Sequence, residues 1–289
     1  MGNDRTALAP RLQVLAAAAL FSTGGAIVKG ISLHGWQVAS FRSAVAMLAF
    51  LLLLPEARRR PTPRVLAVGV AYAATMILFV QSTKLTTAAS SIFLQATAPL
   101  YVLLLSPWLL RERIHLPDLL YMGALGLGLA SFFLGVDPVS ATAPNPLLGN
   151  VLAALSGLTW ALTVMGLRAL GRGGDDWGPA AALWGSIFAF VFCLAPALPV
   201  GESRPSDWLG IAFLGLFQIA LAYYFLLRGV RRVPAMEASL LLLLEPVLNP
   251  IWAWLAHGEH PGAWSLAGGV LILAATVVRT WWDVKRSPA

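Results

Sequence analysis

Apolar runs of about twenty residues, each closed by a short polar stretch, follow one another along the whole chain. Ten such runs predict helices at 12–31, 36–54, 65–83, 87–110, 116–135, 147–168, 177–198, 208–228, 236–256 and 261–281. A helix rises about 1.5 Å per residue, so about twenty residues cross a hydrocarbon core about 30 Å thick. The connections are short. The longest, around VDPVSATAPNP and VGESRPSD, carry the Pro, Ser and Asn expected of turns. The pattern predicts an all-α membrane protein of ten transmembrane helices, with no soluble domain.

Composition supports this. Of the 289 residues, 58% are hydrophobic and 11% charged, against roughly 45–50% and about 25% in a soluble domain. A formal net charge of +7 would raise nucleic acid as a partner for a soluble protein. Here the basic residues sit between apolar runs, so no nucleic-acid partner is expected and topology explains them better. Sixteen Lys and Arg residues fall on one side, in the N-terminal stretch, the even-numbered loops and the C-terminal stretch. Three, Lys29, Lys84 and Arg204, fall on the other, and Arg42 lies inside the second run. This asymmetry predicts a multi-pass protein of the cytoplasmic (inner) membrane with both termini in the cytoplasm. The polar N-terminal stretch reads as an uncleaved tail. A single cysteine, Cys193, excludes an intrachain disulfide.

The chain also repeats itself. APLYVLLLSPWLLRE (98–112) is echoed by EPVLNPIWAWLAHGE (245–259), so that Pro99 matches Pro246 and Glu112 matches Glu259 at one offset of 147 residues. Phe21 to Lys29 aligns more loosely with Trp160 to Arg168, and Trp36 with Trp177. The expected organisation is a first five-helix repeat over 1–139 and a second over 140–289, forming one membrane domain. Five is odd, so the second repeat enters the membrane from the opposite side. Two inverted repeats around a central cavity are the pattern of secondary transporters.

On these residues the chain resembles the EamA family of the drug/metabolite transporter superfamily. The motifs are the aromatic-then-basic spacing in runs one and six, the Ala/Ser-rich openings of runs four and nine, the Pro–x12–Glu endings, and the Gly-rich runs five and ten. Within that family it looks most like the YddG-type amino-acid exporters. It departs from the pattern at Phe21, where many members carry Trp before a Gly. The resemblance implies a basket of ten helices, opened alternately to the two sides, that exports amino acids and related metabolites.

Charge inside a membrane is expensive and points to a cavity or a partner. Glu245 follows five leucines in run nine, and Asn249 and Trp252 share its helical face. Pro246 and Pro250 each remove a backbone donor, and freed carbonyls in a broken helix can hold a substrate ammonium group. The matching face of run four carries Ser91, Gln95, Ala98 and Pro99. Ser22-Thr23-Gly24-Gly25 interrupts run one, and Trp160 occupies the corresponding zone of run six. Tyr72, Met76 and Phe79 in run three, and Gln218, Tyr223 and Tyr224 in run eight, form stripes that suit an apolar cavity for large side chains. Each of these features has a plain structural alternative, since small and polar residues also pack membrane helices. The expected substrate-binding set is Glu245, Asn249, Gln95, Ser91, Thr23, Trp160, Phe79 and Tyr223, with Glu245 on the ammonium group. Pro99 and Pro246 are the expected hinges as the two halves rock. Glu112 and Glu259 are expected to be structural, each reaching forward to cap the next run against an unfavourable helix dipole. Lys29 and Lys84 are expected to snorkel to the interface. Arg42 pairs with a carboxylate or helix end, or guides an anionic group.

No Gly-rich P-loop appears, so ATP-driven transport is not expected. His257, Glu259 and His260 make a weak group, and neither a metal nor a cofactor is expected. The predicted function is secondary export of amino acids, aromatic and apolar ones among them, by a monomer in the lipid bilayer, with protons as a candidate coupling ion carried on Glu245. The alternative is an exporter of organic-cation drugs or nucleobases from the same superfamily. A membrane-embedded lipid-modifying enzyme would need a catalytic cluster at one interface, and the sequence offers none.

Overall fold

The computed structural model describes residues 3–109, 114–171 and 176–286. All elements among the described residues are helical. Ten helices are long and apolar enough to cross a membrane: Leu8–Gly30, Gly35–Leu53, Pro63–Leu85, Ala88–Leu109, Leu116–Leu134, Pro146–Gly171, Gly178–Ala197, Pro205–Val230, Glu237–His257 and Ala263–Trp282. They are called spans one to ten below. Each coincides with one of the predicted runs.

Three spans are broken. Span one divides at Thr23 into Asn3–Ser22 and Gly24–Gly30. Span four divides into Ala88–Gln95 and Ala98–Leu109. Span nine divides into Ala235–Leu242 and Leu244–His257. The breaks in spans four and nine fall at Ala96 and Leu243, which are again 147 residues apart. Pro250 lies inside the continuous helix Leu244–His257, whereas the two prolines matched at the repeat offset stand at the breaks. Pro99 and Pro246 stand in the first turn of the segment that follows each break, where a missing N–H leaves no intrahelical bond unmade. The carbonyl a continuous helix would have offered to each proline belongs to Gln95 and Leu242, the last residues before the breaks. Hydroxyls add second donors to carbonyls beside the breaks: Thr23 Oγ1 donates to Leu20 O at 2.7 Å and Thr97 Oγ1 to Leu94 O at 2.6 Å, each of which also accepts the same residue's N–H at 3.2 Å. In span eight, Leu214–Leu221 is wound as a π-helix, a rare form found mostly at functional sites.

The packing obeys an exchange of span n with span n + 5. Span three packs on span six, and span eight on span one. Span four packs on span six, and span nine on span one; spans three and seven meet, as do eight and two. Spans two and seven pair with each other, as do five and ten. A two-fold relation between the halves generates this list. Large apolar side chains such as Leu52, Leu120, Leu127, Leu209 and Val278 are exposed on the outside, while Ser40, Ser82, Thr83, Ser91, Asn150 and Ser156 are buried inside. That distribution suits lipid as the surrounding solvent, where packing and interhelical hydrogen bonds hold helices together.

Small residues set the closest approaches. At the junction of spans five and ten, a Cβ on Gly268 would come within 2.7 Å of Gly128 O and would also strike Ser131 Oγ. Gly268→Leu is therefore expected to lower thermal stability in detergent, by about 1–3 kcal/mol or more. Gly123→Leu, with nothing within 4 Å of its Cβ, should leave the melting temperature unchanged or slightly raised. Equal melting of the two variants would contradict this account.

Candidate functional site

The breaks and the π-helix converge on a central cavity of about 230 Å³. Aromatic and apolar side chains form most of the wall: Phe21 from span one, Met76 and Phe79 from span three, Trp160 from span six, and Ile219, Tyr223 and Leu226 from span eight. Gln95 and Leu242, which end the first segments of spans four and nine, also face it. Much of this lining follows the repeat. Met76 and Tyr223, Phe79 and Leu226, and Gln95 and Leu242 are each 147 residues apart, and Phe21 and Trp160 are the aromatic pair aligned between spans one and six.

The charged lining does not follow the repeat. Glu245 lies in the wall, and its counterpart at the repeat offset is Ala98. Among the described residues its carboxylate has no hydrogen-bond or ion-pair partner. Arg42 lines the same cavity from span two and is 1% exposed. Its Nη2 donates to Met76 O at 3.0 Å and lies 3.8 Å from Met76 Sδ, and its Nε is buried without a partner. Gln218, on the π-helix, presents a buried Oε1 that likewise lacks a partner. Tyr223 is held by edge contacts with Phe21, Phe50 and Tyr72, with ring centroids 5.5–5.9 Å apart. Gln95 Nε2 donates to Ser156 Oγ at 2.6 Å, tying span four to span six at the cavity rim.

Five of the eight sequence-predicted binding residues therefore meet in one place: Glu245, Gln95, Trp160, Phe79 and Tyr223. Three lie outside it. Asn249 is fully buried where span nine packs on span one; a Cβ on Gly25 would strike its Oδ1, and both of its side-chain polar atoms lack partners. Ser91 is spent on a hydroxyl cluster, 2.5 Å from Ser82 Oγ and 3.0 Å from Thr83 Oγ1. Thr23 turns back on its own helix, as described above. Sequence reasoning marked Arg42 as an unusual intramembrane charge without assigning it to the site. Thr75, also in the lining, carried no signal at all.

The acids at the span ends also depart from expectation. Glu112 lies outside the described residues. Glu259 does not cap span ten, the next in sequence. Its Oε2 accepts from the Ala88 N–H at 2.9 Å, at the start of span four, and its Oε1 lies 3.2 Å from Lys29 Nζ. Asp137 takes the role at span ten, accepting from the Gly262 N–H at 2.9 Å and from Ser265 Oγ at 3.0 Å. Lys29 does not snorkel. Its side chain is 3% exposed, and it also donates to the carbonyls of Thr86 and Thr142. Lys84 donates to Ile31 O at 2.5 Å. The two lysines thus serve loop carbonyls after spans one, three and five, at Ile31, Thr86 and Thr142, and bonding these inside the protein is favoured over an unpaired state in a dry setting.

Comparison with known proteins agrees with this architecture. The EamA-like transporter family matches residues 10–134 and again residues 147–281, five spans in each match. An uncharacterized transporter of Archaeoglobus fulgidus is 25% identical over 270 residues, covering 92% of this chain and 94% of its own. The pseudopaline exporter CntI of Pseudomonas aeruginosa is 26% identical over 271 residues, covering 89% of this chain and 90% of its own. A solved crystal structure superposes with a TM-score of 0.64 at 19% identity, covering 94% of this chain and 98% of that one, which establishes a shared fold.

The buried Lys29–Glu259 pair yields a stability test. Glu259→Gln keeps an acceptor for the Ala88 N–H but leaves the Lys29 charge unpaired, a change that costs about 3–5 kcal/mol for a buried pair. Thermal unfolding in detergent should show that loss. The double variant Lys29→Met with Glu259→Gln should recover most of it, and additive losses in the double variant would refute the coupling.

Proposed function

The chain belongs to the EamA-like transporter family, and from that premise we propose that it is a secondary exporter of amino acids, aromatic and apolar ones among them. The observation that carries this reading is an unpaired carboxylate, Glu245, near the middle of span nine and in the wall of an aromatic cavity. A carboxylate with no protein partner is a ready acceptor for a solute ammonium group, and the ammonium in turn offsets the cost of keeping the charge away from water. Phe21, Phe79, Trp160 and Tyr223 supply faces against which an apolar side chain can lie. A relative of similar length is named as a pseudopaline exporter, which favours export over uptake as the direction.

In this reading the protein works as a monomer in the cytoplasmic membrane, with both termini in the cytoplasm. The solute reaches the cavity from one side and leaves from the other. The paired breaks beside Pro99 and Pro246 are the places where spans four and nine flex, because the backbone there is already free of the i to i−4 ladder. Protons are the candidate coupling ion, with Glu245 as carrier.

Purified protein in liposomes is expected to catalyse saturable counterflow of phenylalanine or leucine. Glu245→Gln should reduce that flux by about tenfold or more, the effect of losing one charge-assisted hydrogen bond. Wild-type flux in this variant would remove Glu245 from the mechanism. Flux that responds to an imposed pH gradient in the wild type and not in Glu245→Gln would support proton coupling; equal flux with and without the gradient would reject it.

A further inference from the structure

Arg42 is a second ionisable side chain in the wall of the same cavity, basic where Glu245 is acidic, and the structure gives it no anionic partner. A guanidinium has five donors and is a cation at neutral pH. One Arg42 donor reaches a neutral carbonyl, Met76 O, and Nε reaches nothing. Leaving such a group dry and unpaired inside a membrane protein is costly. Its position is nonetheless held firmly. A Cβ on Gly215 would come within 2.6 Å of Arg42 O, so the backbone of span two rests directly on the π-helix of span eight. That π-helix also delivers Gln218 to the cavity, with its unpartnered Oε1.

We propose that Arg42 is a specificity-determining residue that receives an anionic carboxylate of the transported solute, which restricts the substrates to carboxylate-bearing molecules. The inference rests on reading the central cavity as the transport site, and it adds to that reading the group that recognises the negative end. Arg42 offers a planar fork of donors that matches a carboxylate, while Glu245 and the Gln218 carbonyl offer acceptors for an ammonium group. The cavity is dipolar because the charged residues break the repeat: the symmetric lining is aromatic or apolar apart from Gln95, and the two charges come from spans two and nine without symmetric equivalents in the wall. An organic cation lacking a carboxylate would leave Arg42 unpaired, so the site discriminates against it. This separates the amino-acid reading from the organic-cation alternative on physical grounds.

The test uses three probes of one size: phenylalanine, phenylalaninamide, which lacks the carboxylate, and 3-phenylpropanoate, which lacks the ammonium group. Binding is measured by calorimetry on the full chain in detergent, for wild type, Arg42→Gln, Arg42→Lys and Glu245→Gln. Wild type is expected to bind phenylalanine more tightly than phenylalaninamide. Arg42→Gln should weaken phenylalanine and 3-phenylpropanoate by about ten- to a hundredfold and leave phenylalaninamide unchanged or tighter. Glu245→Gln should show the mirror pattern, weakening phenylalanine and phenylalaninamide and sparing 3-phenylpropanoate. Arg42→Lys keeps the charge without the fork, so it should fall between wild type and Arg42→Gln for the two carboxylates. If Arg42→Gln does not fold, Arg42→Lys carries the test. An equal loss for all three probes in Arg42→Lys would mean a structural role and would overturn the proposal. So would a folded Arg42→Gln protein that binds the carboxylates as wild type does, or a wild type that binds the amide as well as the acid. Arg42-dependent carboxylate binding in a protein that fails to export phenylalanine from liposomes would reject the amino-acid export reading while leaving the anion site standing.

Discussion

Backbone hydrogen bonding in a medium without water governs this structure. Inside a hydrocarbon layer each unpaired N–H or C=O costs several kcal/mol, so irregular backbone survives only where protein surrounds it. The breaks in spans one, four and nine meet that condition. The Leu20 and Leu94 carbonyls beside two of the breaks accept both the N–H and the hydroxyl of Thr23 and Thr97. Gly157 of span six brings its backbone against the carbonyls of Leu94 and Gln95, where a Cβ would stand 3.1 and 3.2 Å from them. The breaks line the middle of the bundle because no other place could tolerate them. The cavity follows from the same constraint, since helices interrupted at mid-depth cannot pack as tightly as continuous ones.

Duplication supplies the scaffold, and departures from duplication supply the chemistry. The two-fold exchange of spans accounts for the interfaces, for the paired breaks at Ala96 and Leu243, and for four pairs of lining residues. A cavity built only from those pairs would be an apolar chamber with one amide. Glu245 in place of an alanine equivalent, Arg42 from span two and Gln218 from the π-helix add an acid, a base and a second amide to that lining. Substitutions at glycine contacts such as Gly128 with Gly268, by contrast, act on the scaffold directly.

What the sequence disclosed depended on the range of the interaction. Span positions are written in composition over twenty residues and were legible, as was the repeat. Glu245 was legible because an acid among leucines has no ordinary reason to be there. Asn249 was misplaced for a definite reason. Helical spacing put it on the Glu245 face, but which part of that face touches a neighbour depends on Gly25, more than two hundred residues away, opening a slot in span one. Ser91 and Thr23 were polar residues of the right size at the right depth, and each is consumed by a local bond whose partner the sequence does not reveal. Glu259 was correctly seen to be near a helix N-terminus, yet the helix it reaches is 171 residues back along the chain rather than the next one.

Contacts between spans also bear on how such a protein can move. Rocking of the two sequence halves as rigid bodies would have to separate span three from six and seven, one from eight and nine, two from seven, four from six and five from ten, all extensively packed. The side-chain ties point the same way. Span nine is fastened to span one by Trp252 Nε1 on Ser22 Oγ at 2.9 Å, His257 Nε2 with Ala26 O at 2.7 Å, Arg11 with Glu237 at 2.5 Å, and the Glu259–Lys29 pair. Those ties run from one end of the two spans to the other, so spans one and nine behave as one body, with span eight packed on span one. The two-fold relation makes spans six, four and three the corresponding body. Bodies that mix the halves keep the three–six, four–six, one–eight and one–nine interfaces intact and place the cavity between them, with Phe21, Tyr223 and Glu245 on one side and Trp160, Phe79 and Gln95 on the other. Arg42 sits apart, on span two between the bodies, where a solute carboxylate bound to it would feel the relative movement of both.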